Sequence, residues 1–221
     1  MAVALREATI AAELHPLSVH ATHHLIIHRP PRAGDTLRTR AWVIAVEPRR
    51  AGTLVVSRFE TTDADGQPVT TTDYGSVYRG VVASGAAPVM EPASAPAARA
   101  TPAPPRWTDL VTVDVNAARV YTECARIWNP IHTDVAVARA AGLADPILHG
   151  TATLALSVSR LVARDLGGAA ERVREIRARF TGWSRCPRRS PCAAASGTAR
   201  PSRSTRSPMA SAILSQGVVS L

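Results

Sequence analysis

The sequence predicts an α+β fold in which antiparallel strands pack against helices, and three observations support this prediction. Four segments between residues 23 and 82 are rich in β-branched residues and are separated by turn residues. A long apolar helix is predicted over residues 151–166. A stretch at 84–106, dominated by proline and alanine, divides the chain into two halves and should be extended and semi-rigid.

The first half is predicted to begin with a helix over residues 4–14, which His15-Pro16 ends because the residue before proline avoids helical geometry. Strands follow, each bounded by turn signals. They are predicted over residues 23–28, 36–47, 53–62 and 69–82. The sequence Asp63-Ala64-Asp65-Gly66 indicates a hairpin between the last two strands.

The second half is predicted to carry three helices. Residues 116–127 form the first, with Val120, Cys124 and Ile127 spaced for one face and Cys124 as a small core residue. Asp134 is a candidate N-cap for the second helix, and Gly142 follows its end. The third, 151–166, is apolar almost all round and should therefore be buried. Residues 171–180 are predicted as a strand or a short helix.

Residues 184–208 break this pattern. They contain six arginines and no acidic residue, with no strand periodicity, before a strand-like segment at 212–219. Two hypotheses remain open: an out-of-frame stretch from two compensating frame errors, and a natural disordered insert. The expected domains are 1–83, a linker at 84–106, and 107–221, with 184–208 irregular.

Composition excludes several classes of protein. The chain has 221 residues and a net charge of +9, and the basic excess is concentrated in the aromatic-free segment 184–208, which disfavours nucleic-acid binding. No apolar run is long enough to cross a bilayer, and no signal-peptide pattern opens the sequence. Three cysteines without metal-ligand spacing fit a reducing compartment, so we expect a cytoplasmic location.

The densest group of chemically useful residues lies at 121–150. Asn129-Pro130-Ile131-His132 sets an imidazole just after a proline, and Pro146-Ile147-Leu148-His149-Gly150 leads into the apolar helix. A helix that begins at Gly150 directs free backbone N–H groups and a positive dipole end toward whatever lies before it. This pattern favours a site that polarises a carbonyl and moves a proton. By contrast, His23, His24 and His28 have no further ligand set, so a structural role is favoured over metal binding.

These residues resemble the signature of the MaoC-like family, the (R)-specific enoyl-CoA hydratases and acyl dehydratases of the hot-dog fold. The family pattern is roughly Y/F-x-x-L-S-G-D-x-N-P-I-H-x-D followed by P-I-x-H-G. Ten residues of this sequence match it: Tyr121, Asn129, Pro130, Ile131, His132, Asp134, Pro146, Ile147, His149 and Gly150. The segment HRPPRAGDTL also resembles the N-terminal domain of two-domain members. The resemblance implies a double hot-dog, in which two antiparallel sheets each wrap one helix.

The resemblance implies addition or removal of water at a 2-enoyl thioester, with CoA as part of the substrate and no separate cofactor. His132 would be the acid/base, the Gly150 amide would hold the thioester oxygen, and Asn129 would orient the loop or the water. Tyr121, Asp134, Ile147 and His149 would line the substrate site. Two interpretations of His149 remain open: it is a second acid/base, or it is a structural hydrogen-bonding group.

One departure from the pattern is important, because Ile127 stands where the family keeps its catalytic aspartate. Three hypotheses follow: Glu123, one turn earlier on the same helix, substitutes; His132 works alone or on a different acyl substrate; or the chain is a non-catalytic partner that binds acyl-CoA or supports an active homologue as a scaffold. The alternative to the first hypothesis is that Glu123 is a solvated helix residue paired with Arg119 or Arg126. A hot-dog thioesterase is a further alternative. The expected partners are an acyl-CoA or acyl-carrier-protein thioester and a second copy or homologous subunit.

Overall fold

The computed structural model describes residues 2–84, 107, 109–180, 182, 193–195 and 214–220. The chain divides into two compact units. Unit 1 contains Met1–Ala98, Glu171–Arg179 and Val218–Leu221, and unit 2 contains Arg99–Ala170 and Phe180–Gly217. The predicted linker and most of the arginine-rich segment lie outside the described residues.

Unit 1 is built on an antiparallel sheet of long strands. The strands with a defined register are β1 (Ser18–Ile27), β2 (Arg38–Arg49), β3 (Gly52–Thr62), β4 (Pro68–Arg79) and β6 (Glu175–Phe180). The sheet order is β2-β3-β4-β1-β6-β8, where β8 is Leu214–Ser220. β6 therefore pairs with β1, although more than a hundred residues of chain separate them.

Turn chemistry fixes the meander of β1 to β4. At the predicted hairpin, Gly66 has a φ of 79° and donates to the Asp63 carbonyl, while the Asp63 carboxylate accepts from the backbone of Asp65 and Gln67. Only residues that tolerate positive φ fit such a position without cost. Arg29 then ties this hairpin to the preceding turn, because it bonds both Asp35 at 2.7 Å and Asp63 at 3.0 Å. The hairpin prediction is confirmed.

The core of unit 1 lies on the apolar residues of β2 and β3. Ile44, Ala45, Leu54 and Val56 are buried together. The buried carboxylate of Asp73 on β4 is paired, as burial requires. Arg58 bonds both carboxylate oxygens of Asp73, at 2.7 and 2.9 Å. His24 Nε2 lies 2.7 Å from Glu175 Oε1, and His28 Nε2 lies 3.0 Å from Thr71 Oγ1.

The N-terminal helix differs from the prediction. Helix α1 spans Ala2–Thr9, and a separate 3-10 helix spans Ala12–Leu17. Pro16 lies inside that second helix rather than beyond it. The tighter 3-10 turn accommodates the proline because its short run of bonds does not require the amide that proline lacks.

Unit 2 consists mainly of helices with one short strand pair. Its elements are β5 (Asp109–Val111), α2 (Ala117–Ala125), a 3-10 turn (Pro130–His132), α3 (Val135–Ala140), α4 (Gly150–Asp165) and β7 (Ala193–Ala195). β5 pairs with β7 in a separate two-stranded sheet, and α4 packs on β7. Two small buried clusters support these helices. They are Val113, Ala118, Leu148 and Ala152, and Ile131, Ala138, Leu143 and Ile147.

The structure corrects which helix faces are buried. On α2 the buried residues are Ala118 and Thr122, while Val120 and Cys124 are exposed. The hydroxyl of Thr122 can be buried because it donates to the Ala118 carbonyl at 2.9 Å. α4 is likewise buried on one side only, and Arg160 and Arg164 on its other side approach Asp109. Helical periodicity shows which residues share one face of a helix, but tertiary contacts decide which face is buried.

The described residues thus have an α+β, hot-dog-like fold, as predicted at that level. The double hot-dog is not seen there, because the strands described in unit 2 form only the short β5–β7 pair. The segment 171–180, left open between helix and strand, contains both: a 3-10 turn at Ala170–Arg172 and then β6. Among the described residues, no helix is both long and apolar enough to span a membrane.

Candidate active site

The turn that carries His132 is shaped by the residues just before it. α2 ends at Arg126, whose positive φ of 53° reverses the chain. Asn129 then has extended geometry and caps the next turn, since its side-chain oxygen accepts from the Ile131 amide at 3.3 Å. Pro130 occupies the first helical position, where its missing N–H costs nothing. Asn129 therefore acts in the structure as a local cap that fixes the position of His132.

His132 is buried and held in one tautomer. Its side-chain Nδ1 lies 2.7 Å from the carbonyl oxygen of Ile147. A carbonyl can only accept, so Nδ1 carries the proton in the neutral ring and Nε2 keeps its lone pair. Burial, together with the neighbouring His149, lowers the pKa of His132 from 6.5 to about 4. At neutral pH the ring is thus an uncharged base.

His149 stacks directly on His132. The ring centroids are 3.6 Å apart with the planes at 23°, and the ring of Tyr121 lies 4.9 Å from that of His149 on a tilt of 48°. His149 Nε2 lies 3.3 Å from the Ile127 carbonyl, so Nε2 carries the proton, and Thr122 Oγ1 is 3.4 Å away. The other nitrogen, Nδ1, is buried with no hydrogen-bond partner among the described residues. Burial lowers the pKa of His149.

Gly150 opens α4 next to this pair. The first bond of the helix is donated by Thr153 to the His149 carbonyl, so the amides before it, including that of Gly150, precede the intrahelical ladder. A Cβ at Gly150 would lie 3.2 Å from Cε1 and 3.3 Å from Cδ1 of the Phe180 ring. The close approach of the aromatic ring explains why this position is a glycine.

The remaining candidate residues have other contacts. Glu123 is exposed, and its Oε1 accepts from Trp128 Nε1 at 3.4 Å. Asp134 is exposed and caps α3, accepting from the amides of Ala136 and Val137 at 2.7 and 3.0 Å. Ile147 is buried and contributes the carbonyl that orients His132. The structure brings His132, His149, Tyr121 and Ile147 together, and Glu123 and Asp134 face outward.

Two residues of the site were not predicted from the sequence. Thr122 is buried against His149, and Phe180 covers Gly150. Thr122 lies between two signature positions, but a threonine on a helix carries no signal of an inward orientation. Phe180 is thirty residues away, and only the tertiary fold brings it to the start of α4. The described residues contain no group of three or more His, Cys, Asp or Glu side chains arranged for a metal ion.

Comparison with known proteins finds a family match for part of the chain. Residues 97–191 match the MaoC-like domain family. A MaoC-like dehydratase from Phytophthora capsici has a TM-score of 0.68 and 25% identity over 81% of this chain and 60% of that one. The peroxisomal multifunctional enzyme type 2 of Drosophila melanogaster gives 0.63 and 23% identity, over 87% and 33% of the two chains, which indicates a shared fold.

A fatty acid synthase beta subunit of Emericella nidulans is 34% identical over 80 residues, which are 35% of this chain and 4% of that protein. The chain thus spans only part of the length of these similar proteins. The match to residues 97–191 covers the turn of His132, the His149–Gly150 junction and α4, which are the elements of the site described above. Residues 97–191 therefore resemble a MaoC-like dehydratase domain, and this match covers less than half of the chain.

Proposed function

We propose that the protein is a hydro-lyase that adds water to, or removes it from, a 2-enoyl thioester. The observation that carries this proposal is the fixed tautomer of His132, whose Nδ1 is bonded to the Ile147 carbonyl and whose Nε2 is a free base at neutral pH. The neighbouring start of α4 supplies backbone N–H groups for a developing oxyanion. Members of the family typically are hydro-lyases, and the similar Phytophthora capsici protein is named a dehydratase.

The chemistry can be completed with one imidazole. Water gives a proton to His132 Nε2 while its oxygen bonds to the β-carbon, and the π electrons move toward the thioester oxygen. The Gly150 amide donates to that oxygen. The imidazolium, stabilised by its bond to the Ile147 carbonyl, then returns the proton to the α-carbon, which gives a 3-hydroxyacyl thioester. A positioned proton carrier contributes roughly 10²- to 10⁴-fold in rate, and one oxyanion donor about 3 kcal/mol.

This one-base route is preferred over substitution by Glu123. Ile127 has no group that can carry a proton, and Glu123 is exposed with Trp128 as its partner. In the proposed complex, Tyr121, Ile147 and His149 form the wall behind His132, and Asn129 and Asp134 hold its loop through their backbone caps. The finer assignment of these residues to substrate contact remains a prediction.

The test is the loss of enoyl absorbance with crotonyl-CoA and the purified full chain. We expect wild type to hydrate the substrate and His132→Ala to lower kcat by about 10²-fold or more, since the proton carrier is lost. Glu123→Gln is the matched control, because it removes a carboxylate from the same short region and should keep the wild-type rate. Loss of activity in Glu123→Gln together with His132→Ala would instead favour a two-residue mechanism that includes Glu123.

A non-catalytic role is the second candidate, and Ile127 is the observation that favours it. A subunit that binds acyl thioesters without turnover would hold a non-reactive acyl-CoA analogue but leave crotonyl-CoA unchanged. A hot-dog thioesterase is the third candidate, and release of free CoA with loss of the thioester band would identify it. The same assay therefore separates all three functions.

The proposed partners are an acyl-CoA or an acyl-carrier-protein thioester, in fatty acid metabolism, with no separate cofactor. The similar fatty acid synthase beta subunit supports the choice of metabolism. A double hot-dog, completed by a second copy or a homologous subunit, is the proposed architecture, and an experimental structure with acyl-CoA bound would test it. The cytoplasmic location remains a prediction.

A further inference from the structure

We propose that His149 is a positioning residue for His132: its ring lies behind the His132 ring and ties it to the backbone of residue 127, so that His132 presents Nε2 to the substrate in one orientation. This inference rests on the proposed function, in which His132 is the proton carrier. It concerns a side chain that the one-base route does not itself use.

The two rings differ in depth. His132 is 9% exposed and His149 is 2% exposed. The unpartnered Nδ1 of His149 has no contact with solvent, so no water or substrate reaches it in this structure. His149 is thus the inner ring of the stack and His132 the outer one. An inner imidazole cannot exchange protons with a substrate directly, and its influence must pass through the ring in front of it.

Each ring uses one nitrogen to bond a backbone carbonyl. His132 Nδ1 bonds Ile147 O at 2.7 Å, and His149 Nε2 bonds Ile127 O at 3.3 Å. The first bond fixes one edge of His132 but allows the ring to tilt about it. The stacked His149, which the Tyr121 ring also contacts, limits that tilt. The stack therefore joins the end of α2, the His132 turn and the start of α4.

The pair also favours neutral rings. A second proton on either imidazole would create a cation 3.6 Å from its neighbour, and on His149 that proton would sit on Nδ1 without an acceptor. Leaving a buried donor unpaired is unfavourable, because it loses its bond to water without gaining another. The titratable groups in ring contact with His149 are His132 from the 3-10 turn and Tyr121 from α2. Neither side chain is a carboxylate that would offset the charge.

Two substitutions distinguish the contribution of the His149 ring from that of its hydrogen bond. His149→Phe keeps a flat ring for the stack and removes the bond to Ile127, and His149→Ala removes both. We expect His149→Ala to lower kcat by about 10- to 100-fold, as misplacement of a catalytic group does, with KM within about threefold of wild type. His149→Phe should recover most of that loss. Leu161→Ala is the control for stability, because Leu161 is buried in the same helix about three turns away.

A second measurement does not depend on catalytic activity. Nitrogen-15 NMR of the histidine rings in the full chain reports the tautomer and the pKa of His132. We expect wild type to show the Nδ1–H tautomer at neutral pH, and His149→Ala to keep that tautomer, which the Ile147 carbonyl sets, but to show changed His132 ring shifts and a His132 pKa nearer its usual value. Unchanged His132 signals in His149→Ala, or a wild-type kcat in that variant, would overturn the positioning role. An inert wild type would overturn the proposed function, and the His132 signals would still decide the role of His149.

Discussion

At the scale of single residues, the glycine at the start of α4 is as constrained as the histidines beside it. Gly150 matters because a methyl group there would press on the Phe180 ring at 3.2 Å, a distance shorter than ordinary van der Waals contact. Either the ring or the helix start would have to shift. In the proposed mechanism that shift displaces the amide that holds the thioester oxygen. A substitution at Gly150 should therefore lower kcat more than it lowers the free energy of unfolding.

A pair of substitutions tests this constraint. Gly150→Ala should lower kcat by about 10-fold or more, because the oxyanion donor moves by a few tenths of an ångström. Phe180→Leu in the same chain removes the ring and should restore a large part of the rate. The two effects are measured as a double-mutant cycle with crotonyl-CoA. If the losses simply add, the close contact with Phe180 does not govern the position of the Gly150 amide.

The stacked histidines could be predicted only in part. The resemblance to the family signature implied that His132 is the acid/base, and the sequence pattern predicted a helix that begins at Gly150. The role of His149 was left open between a second acid/base and a structural group. The tautomers could not be read from the sequence, because they are set by the carbonyls of Ile147 and Ile127. Those backbone groups come into place only through the tertiary fold, as does the ring of Phe180.

At the scale of elements, local chemistry predicted the boundaries well and the buried faces poorly. β2, β3 and β4 lie close to their predicted ranges because β-branched runs end at strong turn residues such as Gly66, whereas β1 begins at Ser18, five residues before the predicted start at residue 23. On α2 the predicted inward stripe of Val120 and Cys124 was wrong, since a bonded threonine and an alanine are buried instead. The pairing of β6 with β1 is a long-range contact that no local pattern contains.

Helix α3 gives a prediction about Asp134. Its carboxylate accepts from two backbone amides at the start of the helix, which is the geometry of an N-cap. Asp134→Ala should therefore lower the free energy of unfolding by about 1 kcal/mol, and Asp134→Ser should restore most of it. Urea unfolding measures both changes. A serine variant that is fully stable but has a raised KM would show that the carboxylate also contacts the substrate.

At the scale of the whole molecule, buried neutral histidines occur in both units. In unit 1, His20 stacks on Tyr74 at 3.9 Å and His23 lies edge-on to both rings. Burial lowers the pKa of His23 to about 4 and that of His20 well below 6.5. In unit 2, burial has the same effect on His132 and His149. The folded chain thus keeps neutral several imidazoles that an unfolded chain would protonate near pH 6.5.

The direction of the pH effect follows from these lowered values. Between pH 6.5 and pH 4 the unfolded state binds more protons than the folded state, so the free energy of unfolding falls as the pH falls. For His23 and for His132, with pKa values of about 4 in the fold, the loss by pH 5 is roughly 2 kcal/mol each. The lowered carboxylates Asp35, Asp63 and Glu175 act in the same direction but only below their usual pKa values near 4, which leaves the window above to the histidines.

Urea unfolding of the full chain at several pH values between 7.5 and 4.5 tests this origin of acid sensitivity. Wild type should lose stability steadily through the window, and His23→Phe should flatten the slope of unit 1 while leaving that of unit 2 unchanged. His132→Phe should do the reverse. Fluorescence separates the units when the tryptophans of the other unit are replaced by phenylalanine, since Trp42 lies in unit 1 and Trp107 and Trp128 lie in unit 2. If neither substitution alters the dependence of the unfolding free energy on pH, these imidazoles bind protons equally well in the folded and unfolded chain. The fold would then not enforce the neutral form of His132 that the proposed mechanism requires.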